Sequence, residues 1–308
     1  MFFMSTVTVT VPATTANIGP GFDCIGAALT LYNQFTFTEQ PEADTDLRIT
    51  VTGTEAHRVS GDRTNLLYQA FTHLYDHLNK TPPKIAIDIK LGVPLARGLG
   101  SSATAIIGGL VGANELAGQP LSTAEIMELA IAIEGHPDNV VPALLGNCQL
   151  SVGEAENWEI CQIPWHSDII PVVAIPDFEL STEEARAVLP KTLSYGDAIF
   201  NIARMGLLIR ALESGNEQWL NKAMADKLHQ PYRQGLIEGY EFVQASALKA
   251  GAYGMVISGA GPTLLALTHP EKIQSVEKAM KNAWTQLEIV ADVRSLSIDT
   301  QGANVNAH

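Results

Sequence analysis

The sequence predicts an α+β fold, with helices gathered on one face of an antiparallel sheet in its second half, rather than a doubly wound parallel sheet. Three observations carry this. At 308 residues the chain is long for a single core and suits two modest domains or one large α/β unit. Hydrophobic residues make up 46% and charged residues 17%, so there is ample material to bury, as in an ordinary globular protein. The later runs read strand at 169–175, a capped helix at Ser181, a long helix at 197–212, strands at 255–258 and 263–267, a helix at 271–284 and a strand at 288–296.

The first half reads as follows. Val7 to Val11 alternates Thr and Val, the pattern of a half-buried strand, and Pro12 to Gly21 follows as an irregular loop fit to wall a site. Strands are expected at 34–39, 47–52 and 84–91. Between the last two, Leu66, Leu67, Ala70, Phe71, Leu74, Tyr75 and Leu78 recur at helical spacing, with Thr64 as N-cap. A helix over 101–116 carries Ala103, Ala105, Gly108, Gly109 and Gly112, small enough to admit a close neighbour. Ser122 and Glu125 form a capping box for a helix that stops before Gly135. A domain boundary is placed in the stretch 158–168, giving domains 1–160 and 161–308.

Composition excludes several classes. The formal charge of −14 argues against a nucleic-acid surface, which needs a basic stripe. Cys24, Cys148 and Cys161 form neither a Cys-x-x-Cys pair nor an even framework, so neither a zinc site nor a disulfide scaffold is indicated, and a reducing cytoplasm fits. Met1 to Met4 lacks the basic region of a signal peptide, and Met4 is an alternative start. The uncharged stretch 98–114 holds five glycines and falls short of the ~20 apolar residues a membrane span requires.

The most informative run is Pro94-Leu95-Ala96-Arg97-Gly98-Leu99-Gly100-Ser101-Ser102-Ala103-Thr104, a glycine-rich turn joined to two hydroxyls and an apolar helix. Gly98 and Gly100 permit backbone angles and close approach that a Cβ would block. The residues that follow can present unpaired amide N–H groups at a helix N-terminus, which suits a polyphosphate. The run is neither a Walker loop nor a dinucleotide fingerprint. Backbone and hydroxyl groups would hold the anion, with Arg97 or Lys90 as charge partner in an otherwise acidic protein.

Phosphoryl transfer also needs a magnesium ion and a held acceptor. Magnesium takes hard oxygen ligands and keeps several waters, so Ser102 and Glu134 are enough protein ligation. A solvated helix-end glutamate is the alternative for Glu134, although an acid at a helix C-terminus opposes the macrodipole. Glu134 to Gly146 adds His136, Asp138 and Asn139; His136 has no second histidine at ligand spacing, which argues against a transition metal. Gly259-Ala260-Gly261-Pro262 between two strand runs suits a hairpin turn. Asn65 suits either a helix start or an adenine contact.

Three segments resemble the GHMP kinases: Pro-x-x-x-Gly-Leu-Gly-Ser-Ser-Ala at 94–103, Ser258 to Thr263, and the N-terminal stretch 12–23. Gly135-His136-Pro137-Asp138-Asn139 and Pro12 to Asp23 are similar to stretches of the family's homoserine kinase branch. The resemblance covers nearly the whole chain. It implies a two-domain α+β GHMP kinase fold, with an N-terminal ribosomal-protein-S5-domain-2-like domain and a C-terminal ferredoxin-like α/β sandwich. The ATP loop lies at their junction, and Ser258 to Thr263 folds back against it.

The implied reaction is transfer from ATP, with Mg2+, to the hydroxyl of L-homoserine, a step toward threonine, by a cytoplasmic homodimer with no membrane or nucleic-acid partner. By the same resemblance Asn17 and Asp23 hold the ammonium, Arg186 and Arg233 the carboxylate, with Thr182 nearby. Asn139 and His136 face the reacting hydroxyl. Asp138 could take the proton, or placement and the γ-phosphate could suffice. The alternatives are a mevalonate- or shikimate-type enzyme of the family, or a non-catalytic ATP-binding regulator.

Overall fold

A computed structural model describes residues 5–154 and 157–307; the alternative start at Met1 or Met4 lies outside the described residues. Strand β1 (Thr6–Ala16) buries Val7, Val9 and Val11 while Thr6, Thr8 and Thr10 stay half-exposed, as the alternation predicts. It pairs antiparallel with β2 (Ile25–Glu39) along its whole length, with a register shift between Pro12 and Ala13. Both strands are longer than the sequence reading, which left 12–16 as loop and missed 25–33. Pro12 has no N–H for a ladder, and the irregularity is where a strand tolerates it.

That bend divides the hairpin between two cores. Val7, Val9, Val11, Phe35 and Phe37 pack into a first cluster, and Ala13, Ile25, Ala27 and Leu29 into a second. The first sheet continues through β3 (Leu47–Thr52), parallel to β4 (Ile85–Lys90), and has the order β11-β1-β2-β4-β3, with β11 at Asn304–Ala307. The hairpin β5 (Cys148–Glu154) and β6 (Asn157–Ile163) hangs from the Ile25 end of β2.

Helix α1 (Leu66–His77) is capped by Asn65 rather than Thr64: the Asn65 side chain accepts from the Leu67 amide, two residues on. α2 (Ser101–Leu116) runs through the first core. A Cβ on Gly108 or Gly112 would overlap the Phe35 or Phe37 ring, and one on Gly109 the α1 backbone. Each phenylalanine so buried contributes about 1.5–3 kcal/mol. α3 (Thr123–Glu134) has the expected capping box and ends at Gly135. α4 (Pro137–Leu145) was not expected; it holds two prolines, and Pro137 occupies the first turn, where its missing N–H costs nothing.

The second sheet, β10-β7-β9-β8, is antiparallel: β7 (Ile170–Pro176), β8 (Ala252–Ile257), β9 (Leu264–Thr268) and β10 (Ala291–Ser295). α5 (Thr182–Ala187) follows β7, capped by Ser181, and α6 (Tyr195–Ser214), α7 (Glu217–Ala223), α8 (Gln230–Arg233) and α9 (Tyr240–Ala250) precede β8. α10 (Ile273–Thr285) lies between β9 and β10. Helices are not confined to one face. α9 and α10 cover Val172, Ala174, Leu264 and Ala266, whereas Leu208, Leu212 and Leu220 of α6 and α7 meet Val173, Leu265 and Leu267 on the other. The bent end of the β1–β2 hairpin packs into that second layer, so the two sheets share a core.

Candidate active site

A cavity of about 530 Å³ opens where the β1–β2 connection, the 94–102 turn, the α3–α4 junction, α5 and the Gly259–Gly261 turn converge. Gly100 caps α2 in the left-handed region at φ 66°. It has no side chain to satisfy the first-turn amides, which stay open to an anion. Gly98 and Gly261 pack backbone to backbone; Ser258 Oγ lies 2.7 Å from the Gly98 carbonyl and 2.9 Å from Thr15 Oγ1, and the Thr263 amide donates to Arg97 O. The far turn therefore folds back on the glycine-rich one.

Ser102 and Glu134 meet at one end, with Ser102 Oγ donating to Glu134 Oε2 at 2.9 Å. Burial pushes the Glu134 carboxyl above its usual range. No arginine or lysine pairs with it among the described residues. A desolvated carboxylate beside a hydroxyl, with no arginine or lysine paired to it, is a donor set that fits magnesium.

In the middle, His136 Nδ1 lies 2.9 Å from Asp138 Oδ1, and Asn139 Nδ2 donates to the same oxygen at 3.3 Å. Asp138 is 3% exposed. Its hydrogen bond holds the His136 imidazole above the ordinary histidine value.

At the other end, Arg186 binds Asp23 side-on, Nη1 to Oδ2 and Nη2 to Oδ1. Asn17 accepts from the Asp23 amide and donates to Gly259 O. Arg233, 2% exposed, donates from Nε to Ala185 O and from Nη1 to Gly259 O, tying α5 to the far turn. Thr182, on the first turn of α5, completes this wall.

Asn65 also lines the cavity while its side chain caps α1 and donates to Ser60 O. Leu95, Ala96, Arg97, Gly98, Gly100, Ser101 and Ser102 line it too. The remaining residues of the run do not: Pro94 is off the lining, and Leu99, Ala103 and Thr104 are buried, Thr104 bonding Asn33 and Ser101 O. Arg97 is not a free cation, since its guanidinium donates to Pro176 O, Leu95 O and Asp177 O and pairs with Glu179. Lys90 is exposed at the end of β4, away from the cavity.

Sequence reading missed Phe22, which stacks on His229 at 5.0 Å and sits under both arginines, at 5.8 Å from Arg186 and 5.1 Å from Arg233. It also missed His229, whose imidazole is held below the ordinary value by complete burial, and Asp226, which accepts from Asn201 and from the backbone amides of Leu228, His229 and Gln230 at the start of α8. Phe22 stood next to Asp23, a signal that could have been used. Asp226 and His229 carried none.

The family model for the GHMP kinases N terminal domain matches residues 65–147, and that for the GHMP kinases C terminal domain matches 208–286. A homoserine kinase of Nostoc punctiforme is 64% identical over 303 residues, 98% of this chain and 99% of that one. The chain belongs to the GHMP kinases, in their homoserine kinase branch. As a member it is an ATP-dependent kinase. The homoserine kinase of Thermosynechococcus vestitus is 57% identical over 300 residues, 96% and 98% of the two chains. Among solved GHMP folds, the crystal structure of homoserine kinase from Cytophaga hutchinsonii superposes with a TM-score of 0.89 at 28% identity, covering 99% of each chain. The L. major mevalonate kinase in complex with R-mevalonate matches at a TM-score of 0.72 and 15% identity, over 94% of this chain and 95% of that one, a likeness of fold alone.

Proposed function

We propose that the cavity transfers the γ-phosphoryl group of ATP to the side-chain hydroxyl of L-homoserine, giving ADP and O-phospho-L-homoserine on the way to threonine. One observation carries the reading: groups complementary to both charges of an amino acid, Asp23 for the ammonium and Arg186 and Arg233 for the carboxylate, share a cavity with the open amides of α2. Asn17 keeps a second lone pair on Oδ1 for the ammonium. A mevalonate- or shikimate-type acceptor offers a carboxylate with no ammonium, and would leave Asp23 unused.

The backbone N–H groups at 98–102 hold the phosphates, and Asn65 borders the base. Ser102 and Glu134 would hold Mg2+, which when bound neutralises charge on the phosphate oxygens. With the amino acid fixed at both charges, its hydroxyl is directed toward Asn139 and His136. The hydroxyl oxygen forms a bond to the γ-phosphorus as the bond to the β–γ bridging oxygen breaks. Positioning and electrostatics dominate such a loose transition state, and the hydroxyl proton passes late to an oxygen of the transferred group. The hydrogen bond to Asp138 favours the protonated form of His136, which stands beside the transferring phosphoryl.

We place the enzyme in the cytoplasm as a homodimer; no helix among the described residues is long and apolar enough to cross a membrane. Leu193, Tyr195, Ile199 and Ile202 form an exposed apolar face at the start of α6 that supports self-association. The deciding assay measures ADP release with homoserine, mevalonate, shikimate and galactose side by side. Stimulation by homoserine alone is expected, and equal stimulation by mevalonate or shikimate would refute the assignment.

A further inference from the structure

We infer that the Thr14 hydroxyl is a positioning group that locks the side-chain amide of Asn139 with its N–H face toward the acceptor, so that Asn139 serves the transfer as a donor only. The inference rests on the proposed reaction. Thr14 is completely buried and does not line the cavity; it acts through Asn139 alone. Its Oγ1 donates to Asn139 Oδ1 at 2.7 Å, and on the opposite side Asn139 Nδ2 donates to Asp138 Oδ1 at 3.3 Å.

The two contacts fix one orientation. If the amide turned over, its carbonyl oxygen would face the Asp138 carboxylate, acceptor against acceptor, and the buried Thr14 hydroxyl would lose its acceptor. Oδ1 keeps a second lone pair, but it is turned to a buried hydroxyl that does not line the cavity, so the remaining Nδ2 hydrogen is the group Asn139 presents to the acceptor. A donor there suits the hydroxyl oxygen as it attacks, or an oxygen of the transferring phosphoryl group, both of which carry lone pairs or growing negative charge.

The lock is built into the nucleotide site. The Thr14 amide donates to Leu99 O at 3.1 Å, and a Cβ on Gly100 would overlap the Thr14 hydroxyl and crowd Asn139 Oδ1. The glycine that opens the amides of α2 therefore also leaves room for this pair, and the acceptor's orienting group is referenced to the phosphate turn by one hydrogen bond.

Two measurements test this. In the kinetic one, Thr14→Val lowers kcat by about tenfold while KM for homoserine and ATP stays within about twofold, Thr14→Ser restores kcat, and Thr14→Val adds no loss to Asn139→Ala. Unchanged kcat in Thr14→Val, or losses that multiply in the double variant, would overturn the inference. Thr14→Ala serves the same comparison if the valine does not fold. The second measurement needs no acceptor: in protein labelled with 15N-asparagine, the side-chain pair missing from Asn139→Ala is the Asn139 signal. It should shift and exchange faster with solvent in Thr14→Val and stay in place in Thr14→Ser. An unmoved signal in Thr14→Val refutes the lock even if homoserine proves not to be the acceptor, whereas a moved signal without homoserine turnover counts against the reaction and leaves the lock standing.

Discussion

Arg186 and Asp23, 163 residues apart in sequence, lie side-on with both N–O distances at 3.0 Å, and the Phe22 ring sits beneath the guanidinium. The pair holds α5 against the connection between β1 and β2 across the mouth of the cavity. Its side chains are 38% and 34% exposed, so it adds little to stability, and its charges are accessible to a ligand. An incoming amino acid can exchange this internal pairing for two external ones, ammonium to Asp23 and carboxylate to Arg186.

Asp23→Asn therefore raises KM for homoserine by about 10- to 100-fold and leaves KM for ATP within about twofold. Steady-state kinetics with each substrate varied check it. Equal losses for both ligands would contradict the assignment of Asp23.

Arg233 differs from Arg186 in burial, and their lysine variants should separate. Lysine cannot reproduce the fork that reaches Ala185 O and Gly259 O. Arg233→Lys is expected to lose about 1–3 kcal/mol of stability in denaturant titration as well as homoserine affinity. Arg186→Lys should weaken homoserine binding with a stability change under about 0.5 kcal/mol. Indistinguishable unfolding curves would show that the buried contacts of Arg233 are dispensable.

Glu134→Gln removes the carboxylate but keeps a side chain able to bond Ser102. We expect kcat to fall by about a hundredfold and the Mg2+ concentration for half-maximal rate to rise. Titrating Mg2+ at saturating ATP and homoserine reads both, and an unchanged Mg2+ requirement would remove Glu134 from the metal site.

The imidazoles of His136, which lines the cavity, and His229, buried behind Phe22, carry opposite pH dependences. Asp138 raises His136 above its usual 6.5, so its contribution to stability is fully present below that value and is lost as pH rises through the raised one. Burial depresses His229, whose contribution is present above 6.5 and is lost as pH falls toward the lowered value. The Tm difference between wild type and His136→Asn should be largest below pH 6.5 and shrink with increasing pH. A difference that grows with pH would reverse the assignment.

Ile202, 72% exposed, can take a charge without unfolding the chain. Ile202→Glu should shift sedimentation from dimer to monomer if the α6 face is the interface. Sedimentation identical to wild type would move the interface elsewhere.

Much of this was legible locally. The capping boxes at Ser122 and Ser181, the helix at Ser101 behind two glycines, and the Thr/Val alternation of β1 are short-range patterns, and each stands where it was read. Pro12 to Ala16 did not alternate and held a proline, so nothing local marked it as strand; pairing with Gly26 to Tyr32 made it one. Pro137 and Pro142 hid α4 in the same way, since helix there depends on packing Val140, Val141 and Leu144 into the first core.

By itself the sequence determined which chemical groups the protein owns and where its backbone could leave amides unpaired, because those properties reside in single residues and their immediate neighbours. Tertiary structure alone decided what each group is free to do. It engaged Arg97 with three carbonyls, left Glu134 beside Ser102 with no arginine or lysine paired to it among the described residues, and set Thr14 behind Asn139, since hydrogen-bond partners and dielectric surroundings come from segments that meet only when the two sheets close on a common core.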